Sequence, residues 1–144
     1  MTIASILRHK GDQVVAVSPH DDAASIARTL AQHRIGAVLV RDASGGVMGI
    51  ISERDIVRAM ARAGEGTAAL LAEALMTREL STVSPRTTIT DALAMMTDRR
   101  IRHLPVLDEG RLAGMVSIGD LVKARIAQAE DEAESLRTYV ATGG

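Results

Sequence analysis

The chain has 144 residues, of which 47% are apolar and 24% charged, with a net charge of −1, the balance of a water-soluble globular protein. That charge gives no long-range attraction to nucleic acid or an anionic membrane, and Tyr139 as sole aromatic residue rules out the stacking platforms of single-strand binders. The absence of Cys excludes disulfides and thiolate metal sites, and no apolar run approaches the roughly 18 residues of a membrane span.

In chain order, residues 1–12 form an N-terminal segment with apolar Ile3, Ile6 and Leu7. It lacks a basic region, an apolar core and a cleavage site, which predicts a cytoplasmic protein. A first unit covers residues 13–63. Its opening strand, Gln13–Val17, ends at Ser18-Pro19. A helix is predicted from Asp22 to His33, with Asp22 as N-cap and Ala23, Ile26, Ala27 and Leu30 at helical spacing on one face. Two apolar strands follow, Ala37–Arg41 and Val47–Ser52, joined through Ser44-Gly45-Gly46 as a hairpin. A second helix runs from Asp55 to Arg62. The linker, residues 64–79, begins at Gly64-Glu65-Gly66-Thr67 and carries helix formers from Thr67 to Met76, so a short helix is expected there.

The second unit, residues 80–127, repeats the first. Val17-Ser18-Pro19 recurs as Val83-Ser84-Pro85, and the same spacing carries Arg34-Ile35 onto Arg100-Ile101 and Val40 and Asp42 onto Val106 and Asp108. One extra residue, placed at Ser44, shifts the register, after which Gly49, Ser52, Asp55, Val57 and Ala59 match Gly114, Ser117, Asp120, Val122 and Ala124. The predicted elements are a strand Leu80–Val83, a helix Thr88–Arg99, strands His103–Leu107 and Leu112–Ser117 around Glu109-Gly110-Arg111, and a helix from Asp120 to Ala129. In the first of those helices, Ile89, Ala92, Leu93 and Met96 share a face, and Thr88-Ile89-Thr90-Asp91 resembles a capping box with Asp in place of Glu. Residues 128–144 form an acidic helical tail in which Leu136, Tyr139 and Val140 are still apolar. The fold class is α+β, two β-α-β-β-α repeats. One such unit presents an apolar sheet face that it cannot cover alone, so the two are expected to pack with pseudo-two-fold symmetry, sheets facing each other.

The chemistry concentrates in two near-identical heptads, Gly49-Ile50-Ile51-Ser52-Glu53-Arg54-Asp55 and Gly114-Met115-Val116-Ser117-Ile118-Gly119-Asp120. Each is an apolar strand running into Ser and then Asp at a helix start, where free N–H groups and the helix dipole favour an anion. The hydroxyl and the two-oxygen carboxylate suit the phosphate and vicinal diol of a nucleotide. One such heptad is weak; two in equivalent places are strong.

The duplicated Ser-Pro strand ends, the run Ile101-Arg102-His103-Leu104-Pro105-Val106 and the paired heptads resemble a tandem of cystathionine-β-synthase (CBS) domains, a Bateman module, over residues 11–127. The length and the Ser-Glu-Arg-Asp of the first copy are similar to free-standing bacterial CBS-pair proteins. The resemblance implies a regulatory module that senses adenine nucleotides in clefts between the repeats and pairs into a disc-shaped homodimer read by a downstream protein. It further implies that Asp120 accepts ribose hydroxyls, that Ser117 contacts ribose or phosphate, and that Ile118 and Gly119 lie at the ligand-facing helix start. Arg102 and His103 match phosphate-contacting positions, while Thr82, Val83, Leu104 and Pro105 would supply backbone groups and aliphatic faces to the adenine. In the first copy Asp55 and Ser52 match, with Val15 and Ala16 near the base; Gly36-Ala37-Val38-Leu39 replaces Arg102-His103-Leu104-Pro105, and Arg54 adds a cation. The two sites are therefore expected to differ in affinity or ligand. The ligand set is AMP, ADP, ATP or NAD(H), with S-adenosyl compounds sharing the adenosine half; no cofactor, metal, nucleic acid or membrane partner is implied.

Plainer readings stand beside these. Asp55 and Asp120 could serve only as N-caps, Arg102 and His103 as surface charges, and Arg54 as an ion-pair partner of Glu53 or Asp55. His9, His20 and His33 lack metal-ligand spacing and read as surface residues. Met48, Met60, Met76, Met95, Met96 and Met115 read as core filler in a chain without Phe. A ligand-free dimerisation module is the alternative function. An enzyme is disfavoured, because no activated nucleophile, carboxylate pair or Walker-type loop accompanies the heptads.

Overall fold

The structure, a computed structural model, describes residues 1–143. The chain divides into two compact units, Gln13–Leu80 and Met1–Asp12 together with the chain from Ser81 onward.

In the first unit the elements are β1 (Ala16–Val17), α2 (Ala23–His33), β2 (Ala37–Arg41), β3 (Val47–Ser52), α3 (Glu53–Ala63) and α4 (Ala72–Leu75). Asp22 caps α2 by accepting from the Ser25 N–H at 2.8 Å. The apolar stripe Ala23, Ile26 and Leu30 buries itself against Val38, Val40 and Ile51 of the sheet and Ala59 of α3. The sheet order is β1-β2-β3, parallel then antiparallel, with Ala37 opposite Ser52. The linker forms a 3₁₀ turn over Gly64–Ala69 and then α4. Its residue Thr77 pairs with Ile50 as an added strand edge.

The second unit holds α1 (Ile3–Lys10), α5 (Ile89–Arg99), β4 (His103–Asp108), β5 (Arg111–Ser117) and α6 (Ile118–Ala141). Ile3 and Ile6 complete a core of Ile89, Ala92, Met96, Leu104, Val106, Val116 and Leu121. Two first-turn amides of α1 are satisfied by this unit, Ile3 donating to the Thr87 carbonyl and Ala4 to that of Pro85, both at 2.9 Å. The tight β4–β5 hairpin turns through Glu109 at φ 50 and Gly110 at φ 78, the successive positive φ values of a type I′ turn.

Four sequence expectations need correction. The predicted strand Leu80–Val83 reduces to a single parallel bridge, Val83 to Val106. In the first unit the Leu39 N–H donates to the Val15 carbonyl at 3.2 Å; the residue matching Leu39 is Pro105, which has no N–H, so the ladder cannot extend to Ser81. Helices α3 and α6 begin at Glu53 and Ile118, two residues earlier than predicted, and α6 continues unbroken to Ala141. Thr88 accepts from the Asp91 N–H at 3.0 Å, but Asp91 does not reach back, so the expected capping box is half made. Met60 is 60% exposed rather than core.

Equivalent glycines of the two heptads are closely covered. A Cβ on Gly49 would meet the Thr77 carbonyl oxygen at 2.7 Å, whereas one on Gly114 would meet the Leu7 Cδ2 at 2.7 Å. Backbone cannot yield and a leucine side chain can rotate. Gly49→Ala is therefore expected to cost about 1–3 kcal/mol of stability and Gly114→Ala clearly less, checked by urea unfolding of both variants. Equal costs would contradict this packing.

Candidate functional site

Each repeat turns from its last strand into a helix at the Ser of its heptad. Ser52 and Ser117, not the aspartates, are the N-caps of α3 and α6, and Asp55 and Asp120 close capping boxes from the third helical position. Asp120 Oδ2 accepts from the Ser117 N–H at 2.9 Å, and the Asp120 N–H donates to Ser117 Oγ at 3.1 Å. The Ile118 N–H donates to the Arg102 carbonyl at 2.8 Å, as Glu53 does to Gly36 at 2.9 Å. Among the described residues, the Gly119 N–H is left as the first-turn amide of α6 without a protein acceptor.

The two corners differ in what covers them. In the first repeat, Thr77 Oγ1 donates to Asp55 Oδ1 at 3.2 Å while Oδ2 serves Ser52. Both carboxylate oxygens are thus engaged by neutral donors. In the second repeat α1 brings Lys10 to the same place: its Nζ donates to Asp120 Oδ2 at 2.6 Å and to the Met115 carbonyl at 2.9 Å. Asp120 Oδ1 accepts from none of the described residues. Lys10 is the site residue the sequence reading missed. It lies 110 residues from Asp120, outside both repeats, and nothing local in the sequence ties it to the heptad.

Partial burial pushes the Asp120 carboxyl up, but the hydrogen bond from Lys10, that from the Ser117 backbone and the Lys10 charge outweigh it, so the group titrates below its ordinary value. A carboxyl lowered in the fold stabilises it above the unfolded-state range and ceases to do so as pH falls through the folded value. Lys10→Met is therefore expected to lower stability at neutral pH by a few tenths to about 1 kcal/mol, the scale of a half-exposed pair. The gap from wild type should close in acid. Unfolding at neutral and acidic pH checks this, and a gap independent of pH would contradict it.

Of the other expected residues, Arg102 is exposed and His103 half-buried, and His103 pairs with Ser117 across β4–β5, beside the α6 start. Val83, Leu104 and Pro105 are buried and Thr82 half-buried. With its side chain fully buried, Leu104 offers a ligand only its backbone. Pro105 has no N–H to give the Ser81 carbonyl the bond that Leu39 gives Val15. In the first copy, Ala37 pairs with Ser52 and is buried, Gly36 and Val15 are half-buried, and Arg54 and Ala16 are exposed. Arg54 forms no ion pair among the described residues. Nor do those residues contain a His, Asp or Glu cluster able to hold a metal, and none of their helices is long and apolar enough to cross a membrane.

The CBS-domain family model matches residues 4–62 and 72–127. The chain belongs to the CBS-domain family. It is similar to the mitochondrial CBS domain-containing protein CBSX3 of Arabidopsis thaliana, at 33% identity over 99% of this chain and 73% of that one. The solved CBS-domain protein ATU1752 of Agrobacterium tumefaciens superposes with a TM-score of 0.85 at 42% identity, covering 86% of this chain and 92% of that one. The CBS-domain pair of MJ0100, solved in complex with 5′-methylthioadenosine and S-adenosyl-L-methionine, shares the fold with a TM-score of 0.75 at 23% identity, over 86% and 98% of the two chains.

Proposed function

We propose that this CBS-domain pair is a regulatory module that binds an adenosine-containing nucleotide at the strand-to-helix corner of its second repeat. The observation that carries the reading is the Asp120 corner: a carboxylate oxygen and the Gly119 N–H, both without partners among the described residues, beside the Lys10 ammonium. A diol donates to the carboxylate, and a phosphate takes the amide and the cation. The adenosine compounds held by the MJ0100 pair, a protein of the same fold, support the adenosine part of this reading. AMP, ADP, ATP and NAD(H) all carry the required diol and phosphate.

The first repeat is the weaker or differently tuned site, because Thr77 already engages Asp55 and no counterpart of Arg102 and His103 is present. Binding alters the relative orientation of the repeats or the geometry of a homodimer, and a downstream protein reads that change; the role is regulatory and not catalytic. Such a shift requires different affinities for the two states. The alternative, a ligand-free dimerisation module, is favoured by the apolar residues Val57 and Met60 exposed on α3. Calorimetric titration of stripped protein with adenine ligands separates the two: saturable binding supports the sensor, and its absence the interaction module.

A further inference from the structure

Helix α6 does two different things along its length. Leu121 and Ala124 pack on the core of its own unit, and Gln128 is half-buried; from Ala129 to Ala141 every residue is exposed. A projecting helix of that length is marginal in water without tertiary support, since isolated helices shorter than about 12–15 residues rarely hold.

A second stripe lies on another face. Val122, Ile126, Ala129, Ala133, Leu136 and Val140 follow one another at alternating steps of four and three, the heptad period of a left-handed coiled coil. Val122, Ile126, Leu136 and Val140 are 43%, 54%, 64% and 69% exposed. Ile126, Ala133 and Val140 occupy a positions and Val122, Ala129 and Leu136 d positions, so two of the three a residues are β-branched and one d residue is Leu, with Ala at the remaining a and at one d.

The flanking charges choose the occupant and its direction. In a parallel, in-register pair of identical helices, Arg125 faces Glu130 of the second copy and Glu132 faces Arg137, both attractive. Turning one helix over while keeping the whole stripe in contact sets Glu130 against Glu130, Glu132 against Glu132 and Lys123 against Arg137, all repulsive. We infer that the exposed stripe of α6 is a self-association surface, on which the same stripe of a second copy packs as a parallel two-stranded coiled coil. This stands apart from the nucleotide reading and gives the homodimer a specific seam.

The chain has no Cys, so single cysteines report the seam directly. Ala129→Cys and Ala133→Cys should each form a disulfide-linked dimer under mild copper–phenanthroline oxidation, while Ala127→Cys, off the stripe, should not. In the Ala129→Cys background, Arg125→Glu should slow cross-linking and the added Glu130→Arg should restore it. Cross-linking only in a mixture of the Ala129 and Ala133 variants would mean antiparallel packing and overturn the inference. So would equal reaction at all three positions, or none. Sedimentation of the reduced variants separates the outcomes further: a dimer that persists without cross-linking at Ala129 or Ala133 leaves the homodimer standing and removes this seam.

Discussion

Asp120→Ala is expected to weaken binding of a phosphate-bearing adenosine nucleotide by about 1–3 kcal/mol, the scale of a lost charge-assisted hydrogen bond. The expected loss comes from removing the carboxylate whose Oδ1 has no donor among the described residues. The same substitution opens the capping box of α6 and strands Lys10, so stability falls as well, by about 0.5–2 kcal/mol from the cap. Affinity must therefore be measured by calorimetry well below the unfolding transition, with Asp55→Ala alongside. Asp55→Ala should change affinity less, since Thr77 and Ser52 already occupy its carboxylate. Unchanged affinity in Asp120→Ala would return Asp120 to helix capping alone.

Leu104→Ala is expected to cost about 2–5 kcal/mol of stability, because a fully buried leucine leaves both a lost transfer energy and a cavity. Leu104 is 0% exposed among Val106, Val116, Met96 and Ile3. Its neighbours on β4 carry the candidate chemistry, so this substitution separates the side chain from the backbone it supports. Urea unfolding should show the loss, while the remaining folded protein binds nucleotide with nearly wild-type affinity. A stable variant with lost binding would place the Leu104 side chain against the ligand instead.

The sequence showed the fold because its signals are local and stated twice. The i, i+3, i+7 spacing of Ala23, Ile26 and Leu30 and its copy at Ile89, Ala92 and Met96 define core-facing helices, and both form as read. The heptads likewise marked the two strand-to-helix corners, but spacing alone could not say whether Ser or Asp occupies the cap. That is settled by the φ and ψ of Ser52 and Ser117, both extended. The lost strand before Ser84 depended on a missing proline N–H at Pro105, a hydrogen-bond count visible only once the pairing partner is known. Lys10 and Thr77 were illegible for a different reason. They reach Asp120 and Asp55 from α1 and the linker, so their roles follow from tertiary packing and from no pattern within either repeat.

Those two contacts also make the repeats unequal where their sequences are most alike. An ammonium meets Asp120 where a neutral hydroxyl meets Asp55, so the two carboxylates have different immediate partners.

Calorimetric titration of the purified protein, stripped of carried-over ligand by unfolding and refolding, with AMP, ATP, NAD and S-adenosylmethionine tests the central claim most directly. The account predicts saturable heat with the phosphate-bearing ligands, tighter than with S-adenosylmethionine, and weakened by about 1–3 kcal/mol in Asp120→Ala. No heat with any of the four would contradict it and would favour the ligand-free interaction module instead.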